Sequence, residues 1–140
     1  MTKVVFVETA NKTEREAMSM ALNPDYSGTQ EQNVFCVIDA FANARLKFSN
    51  ATKGNTMREK RLYRLLESNV RTTEKNLEKT VTLYCLEHAS LDGLIKKLNQ
   101  KKKENALALS QHPERLRHKF YMQACDAALK CIKNFNHDKQ

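Results

Sequence analysis

Between residues 62 and 88 the chain places Leu62, Leu66, Val70, Thr73, Leu77, Val81, Tyr84 and His88 at steps of 4, 4, 3, 4, 4, 3 and 4. This is an eleven-residue repeat of about 3.67 residues per turn. A strand would alternate with period two, so the pattern demands a helix with one apolar face. A strict heptad begun at Leu62 puts Asn69, Thr73, Asn76 and Thr80 in the seam, which a leucine zipper tolerates poorly. The segment is therefore expected to be a bundle helix. Unbroken from 56 to 88 it would run roughly 50 Å at 1.5 Å per residue, and the β-branched cluster at Val70 to Thr73 is where it would kink.

Other segments repeat the logic. Three capping boxes, Thr13 with Glu16, Thr29 with Gln32 and Thr56 with Glu59, mark helix starts, because the hydroxyl caps the N3 amide while Glu or Gln reaches back. Ser90 before Leu91, and His112 followed by Pro113 and Glu114, mark two more. The first helix, 13 to 22, stops at Asn23-Pro24. The second runs from Thr29 to Phe48 on a stripe of Val34, Val37, Ile38, Phe41, Ala44 and Phe48. The fourth turns Leu91, Leu94, Ile95 and Leu98 inward and continues to Leu109. The fifth buries Leu116, Phe120, Ala124, Ala127, Ala128, Cys131, Ile132 and Phe135, and 136 to 140 form a frayed tail. Residues 1 to 12, with the strand-like segment Lys3 to Val7, have no partner strand in the chain and are expected as an extended arm, the alternatives being pairing with a copy of itself across a dimer or addition to a partner's sheet.

Only 3 glycines and 2 prolines occur in 140 residues, too few for the turns of a sandwich or barrel. The expected fold is thus all-α: one domain over 1 to 140, a helical bundle of about five helices with a short extended N-terminal arm. No apolar stretch reaches signal-peptide or membrane-spanning length. That points to an intracellular, cytoplasmic or nuclear protein with no membrane partner, whose cysteines Cys36, Cys85, Cys125 and Cys131 remain thiols.

Catalytic signatures are missing. Gly28, Gly54 and Gly93 are isolated, so no phosphate-cradling loop forms. Glu74 and Glu78 sit beside Lys75 and Lys79 as solvated helix pairs. Cys85 and His88 share a helix face, but Cys125 and Cys131 are six apart, about 240° around a helix, and cannot complete a zinc site with them. No metal, no cofactor and no enzymatic activity are expected.

Charge is the remaining signal. Residues 1 to 55 carry 6 Lys/Arg and 6 Asp/Glu, and the rest carry 18 and 10, for a net charge of +8. A basic half favours polyanionic partners. The candidate contacts are Arg58, Lys60, Arg61, Arg64 and Arg71 on the third helix, Lys96, Lys97, Lys101, Lys102 and Lys103 on the fourth, and Arg115, Arg117 and Lys119 on the fifth. Phe35, Phe41, Phe48, Phe120 and Phe135 fall on core stripes, which leaves Tyr63 and Tyr121 as stacking candidates. The sequence therefore describes a non-enzymatic binding or regulatory protein whose basic surface over 56 to 140 meets nucleic acid or an acidic protein. The alternative is an adaptor or inhibitor acting through a helical groove or a homodimer face. The two differ in whether the bases of three helices converge on one surface.

Overall fold

The computed structural model describes residues 29–138, which form four helices and no strand. These are α1 (Gln30–Asn50), α2 (Met57–Glu87), α3 (Asp92–Gln111) and α4 (Leu116–Asp138). They correspond to the second to fifth expected helices. The extended arm and the helix at 13 to 22 lie outside the described residues.

Local chemistry accounts for most of the boundaries. At α1 the capping box is complete: Thr29 Oγ1 accepts from the Gln32 amide at 3.1 Å and Gln32 Oε1 accepts from the Thr29 amide at 2.9 Å. At α2 only half of it forms. Thr56 Oγ1 accepts from the Glu59 amide at 3.1 Å, while the Glu59 side chain lies against Gly54, where an added Cβ would fall 2.6 Å from the Glu59 Cβ. Glycine is required there by close approach, not by backbone angle. Helix continues without a break through Val70 to Thr73. The Thr73 hydroxyl donates to the Asn69 and Val70 carbonyls at 2.7 and 3.0 Å, so its polar group is satisfied within the helix.

Two starts are shifted. Leu91, not Ser90, is the N-cap of α3 and gives no side-chain cap; Asp92 in the first turn complements the helix dipole instead. His112 closes α3, its amide donating to the Ala108 carbonyl at 2.9 Å. Pro113 and Glu114 therefore belong to the connecting turn, with Arg115 donating to the His112 carbonyl at 3.0 Å, and α4 begins only at Leu116. Helix also continues to Asp138, through the segment expected to fray from 136. We expect Thr29→Ala to cost about 1 kcal/mol in a urea melt and Ser90→Ala to be neutral, because Thr29 caps a helix and Ser90 does not.

The helices alternate in direction. Gln30 of α1 donates to Glu87 at the far end of α2, Phe48 meets Tyr63 edge to face with centroids 5.1 Å apart, and Lys102 of α3 pairs with Asp126 of α4. One core joins all four through Val34, Ile38, Leu77, Val81, Leu94, Leu98, Ala124, Ala128 and Ile132. Ala124 and Ala128 are fully buried, and small side chains there let α4 lie close against its neighbours.

The long stripe of α2 is buried only in part. Thr73, Leu77, Val81 and Tyr84 are in the core, Leu66 and Val70 are half-buried, and Leu62 and His88 are exposed. With 31 residues against 21 for α1, α2 is about 46 Å long against about 32 Å. Its first turns overhang the bundle, leaving Met57 70%, Leu62 51% and Leu65 46% exposed.

Candidate nucleic-acid interface

The thirteen candidate bases separate into three groups. Arg58, Lys60, Arg61 and Arg64 stand on the α2 overhang, all exposed, and no ion pair reaches them among the described residues. Arg71, further along, is paired with Glu67 at 3.1 Å. From there to Lys79, the bases Arg71, Lys75 and Lys79 alternate with the acids Glu67, Glu74 and Glu78, so the excess of charge on α2 belongs to the overhang.

Three of the five α3 lysines face carboxylates. Lys97 is bound to Glu31 of α1, Lys101 lies 3.7 Å from Glu104, and Lys102 lies 2.5 Å from Asp126. Lys96 and Lys103 are exposed and carry no ion pair among the described residues. Lys97 thus ties this helix to α1 and Lys102 ties it to α4, while Lys101 faces an acid of its own helix.

Just before and within the first turn of α4, Arg115, Arg117 and Lys119 are exposed and share an end of the bundle with the overhang. The contacts of α1 fix this. Arg45 places its guanidinium 5.2 Å from the Phe120 ring centroid and 5.7 Å from that of Phe41. Phe48, three residues on and about 4.5 Å along the axis, holds Tyr63. Arg117 precedes Phe120 by one turn, and Lys60 and Arg64 flank Tyr63 in the same way, so these bases occupy one level.

Three bases at this end escape the sequence reading. Arg45, Lys47 and Lys53 fall in the half whose net charge is zero, yet residues 45 to 66 contain seven Lys/Arg and one acid, Glu59. The boundary at residue 55 runs through this basic stretch, which a sliding charge window over 45 to 66 would have found. Lys47 and Arg45 are half-buried and Lys53 is exposed. Arg45 is committed to its two rings, a cation–π arrangement that lets the aliphatic stem cover apolar surface.

Between the α1–α2 connection and the first turns of α2 lies a cleft of about 400 Å³, lined by Lys47, Asn50, Ala51, Thr52, Glu59, Leu62, Tyr63 and Leu66. Tyr63 is one of the two aromatic candidates. The other, Tyr121, is committed elsewhere: burial first and the nearby Asp39 carboxylate second push its hydroxyl well above the usual phenol range. Asp39 itself is raised, because desolvation outweighs the attraction of Arg117 and Lys101. Arg117 thus spends part of its field on an acid of α1.

Cys85 and His88, one turn apart at the end of α2, differ in environment. Cys85 is buried, while the exposed His88 ring stacks on Tyr84 with centroids 3.9 Å apart and has its Nδ1 3.0 Å from the Tyr84 carbonyl. Among the described residues no group of three or more potential ligands gathers, and no helix is long and apolar enough to cross a membrane. No protein-family model matches the chain, and no curated protein or solved structure shows significant similarity to it.

Proposed function

We propose that this chain is a non-enzymatic helical binding protein whose basic end, built from the α2 overhang, the α1–α2 connection and the start of α4, engages nucleic acid. The observation that carries the reading is the set Arg58, Lys60, Arg61 and Arg64: four exposed bases on one short helical stretch with no ion pair among the described residues. Bases already paired to carboxylates gain little from a phosphate, because one ion pair is exchanged for another. Bases in water release condensed counterions from the polyanion and gain the full electrostatic term.

The test is fluorescence anisotropy on nucleic-acid probes between about 50 and about 200 mM salt, where several phosphate contacts change affinity by orders of magnitude. Replacing Arg58, Arg61 and Arg64 together by Gln should weaken binding and flatten the log-log salt slope by about 2 to 3, at about 0.7 to 0.9 per contact. Replacing Lys97 and Lys101 by Gln should leave the slope nearly unchanged, since both face carboxylates. Absence of binding at low salt by a folded sample would overturn the reading. It would favour an adaptor that meets an acidic protein, for which Met57, Leu62, Leu65, Leu107 and Leu116, exposed at or near the same end, supply the apolar surface.

A further inference from the structure

We propose that the cleft under the α1–α2 connection receives one unpaired nucleobase, so that the basic end selects single-stranded over double-stranded nucleic acid. The inference rests on the nucleic-acid reading above and adds what that reading leaves open, the form of the strand.

Its lining mixes the chemistry a base site requires. Leu62, Leu66 and Tyr63 are the apolar and aromatic members, Asn50 and Thr52 the neutral polar ones, and Lys47 and Glu59 carry opposite charges. The Asn50 amide and the Thr52 hydroxyl make no hydrogen bond to other described residues, and residues 52 to 55 make no backbone hydrogen bond outside the helices. Donors and acceptors are therefore available to the edge of a planar heterocycle. A volume of about 400 Å³ is in the range of small-molecule sites.

The two helix ends that flank the cleft are fixed by hydrogen bonds. The Ala51 amide closes α1 on the Phe48 carbonyl at 3.1 Å, Thr56 caps α2 at 3.1 Å, and Glu59 is wedged against Gly54 between them. Tyr63 is steadied by the edge-to-face contact with Phe48. Outside the rim Lys53, Arg58 and Arg61 are exposed, available to the phosphates on either side of an inserted base. Bases within a duplex are stacked and paired, whereas those of a single strand are free to leave the stack and lie on an aromatic ring.

The experiment compares three fluorescein-labelled probes of equal length at about 100 mM salt: a single strand, its blunt duplex, and an abasic single strand with the same phosphates. Stacking of one base predicts that the single strand binds roughly tenfold or more tighter than the abasic probe, and tighter than the duplex although the duplex carries more charge. Leu62→Asp puts a carboxylate in the wall. Because that side chain is already half exposed, the variant stays folded by circular dichroism and loses the preference for bases. Lys79→Gln, on the opposite face of α2, retains it. Equal, salt-dependent binding of all three probes would overturn the base site while leaving the basic end intact. Binding of none would remove both.

Discussion

Leu77→Ala will destabilise the protein by about 2 to 5 kcal/mol, whereas Leu62→Ala, on the same stripe of the same helix, will cost a small fraction of that. Leu77 is fully enclosed between α2 and the other helices, so truncation removes its transfer free energy and leaves a cavity whose walls can collapse only in part. Leu62 keeps half of its surface in water already and borders a cleft, so little is vacated. Urea unfolding followed by far-UV circular dichroism measures both, and equal slopes against denaturant would show that the unfolded state is not responsible. Equal losses at the two positions would mean that the overhang is packed after all.

Cys125 will react with an alkylating reagent at pH 8 about a thousandfold more slowly than an unhindered thiol, because the thiolate is the nucleophile. Its pKa is pushed up to about 12, against about 8.5 for an ordinary cysteine. Burial is the larger cause and the neighbouring Asp126 carboxylate the second, with Lys102 opposing them. The sign follows directly: a raised pKa leaves less thiolate at any pH below it, and the reactivity of Cys125 should still be climbing at pH 10. Residue-resolved mass spectrometry after timed alkylation gives the ratio, and the same measurement in denaturant restores an ordinary rate. A native rate within tenfold of the denatured one would show that the α4 core opens readily. Because Lys102 holds Asp126, Lys102→Gln should slow the reaction further.

Much of the architecture was legible because it is written locally. The capping box at Thr29 involves residues three apart, and the stripes of α1, α3 and α4 lie at helical spacing, so neither needs knowledge of the rest of the chain. The stripe of α2 exposed the limit of that logic. Periodicity states that Leu62 and Leu77 share a face; it does not state whether another helix lies opposite. That depends on the difference in length between α1 and α2, a property of the assembled bundle. The same holds for Lys97 with Glu31 and Lys102 with Asp126. Their partners are distant in sequence, so lysines that look like free surface charge in the sequence turn out to be cross-helix ties. Ser90 and Pro113 failed for a smaller reason: each is a good punctuation residue standing next to the true boundary, and a shift of one to three residues is decided by how the connection packs. The basic end was half seen, since Arg58, Lys60, Arg61 and Arg64 were among the candidates while Lys47 and Lys53 were averaged away against distant acids.

The overhang of α2 has a consequence for how this sequence can change. From Thr73 onward nearly every inward position on α2 is fixed by contact with another helix, and a substitution there alters the folding free energy of the whole domain. From Met57 to Leu65 most side chains touch only solvent or their own helix, where substitutions generally stay within about 0.5 kcal/mol. Charge and apolar area at that end can therefore be redrawn almost independently of stability. Within one continuous helix, one stretch is held to its present residues by the core, while the other is free to follow whatever surface it meets.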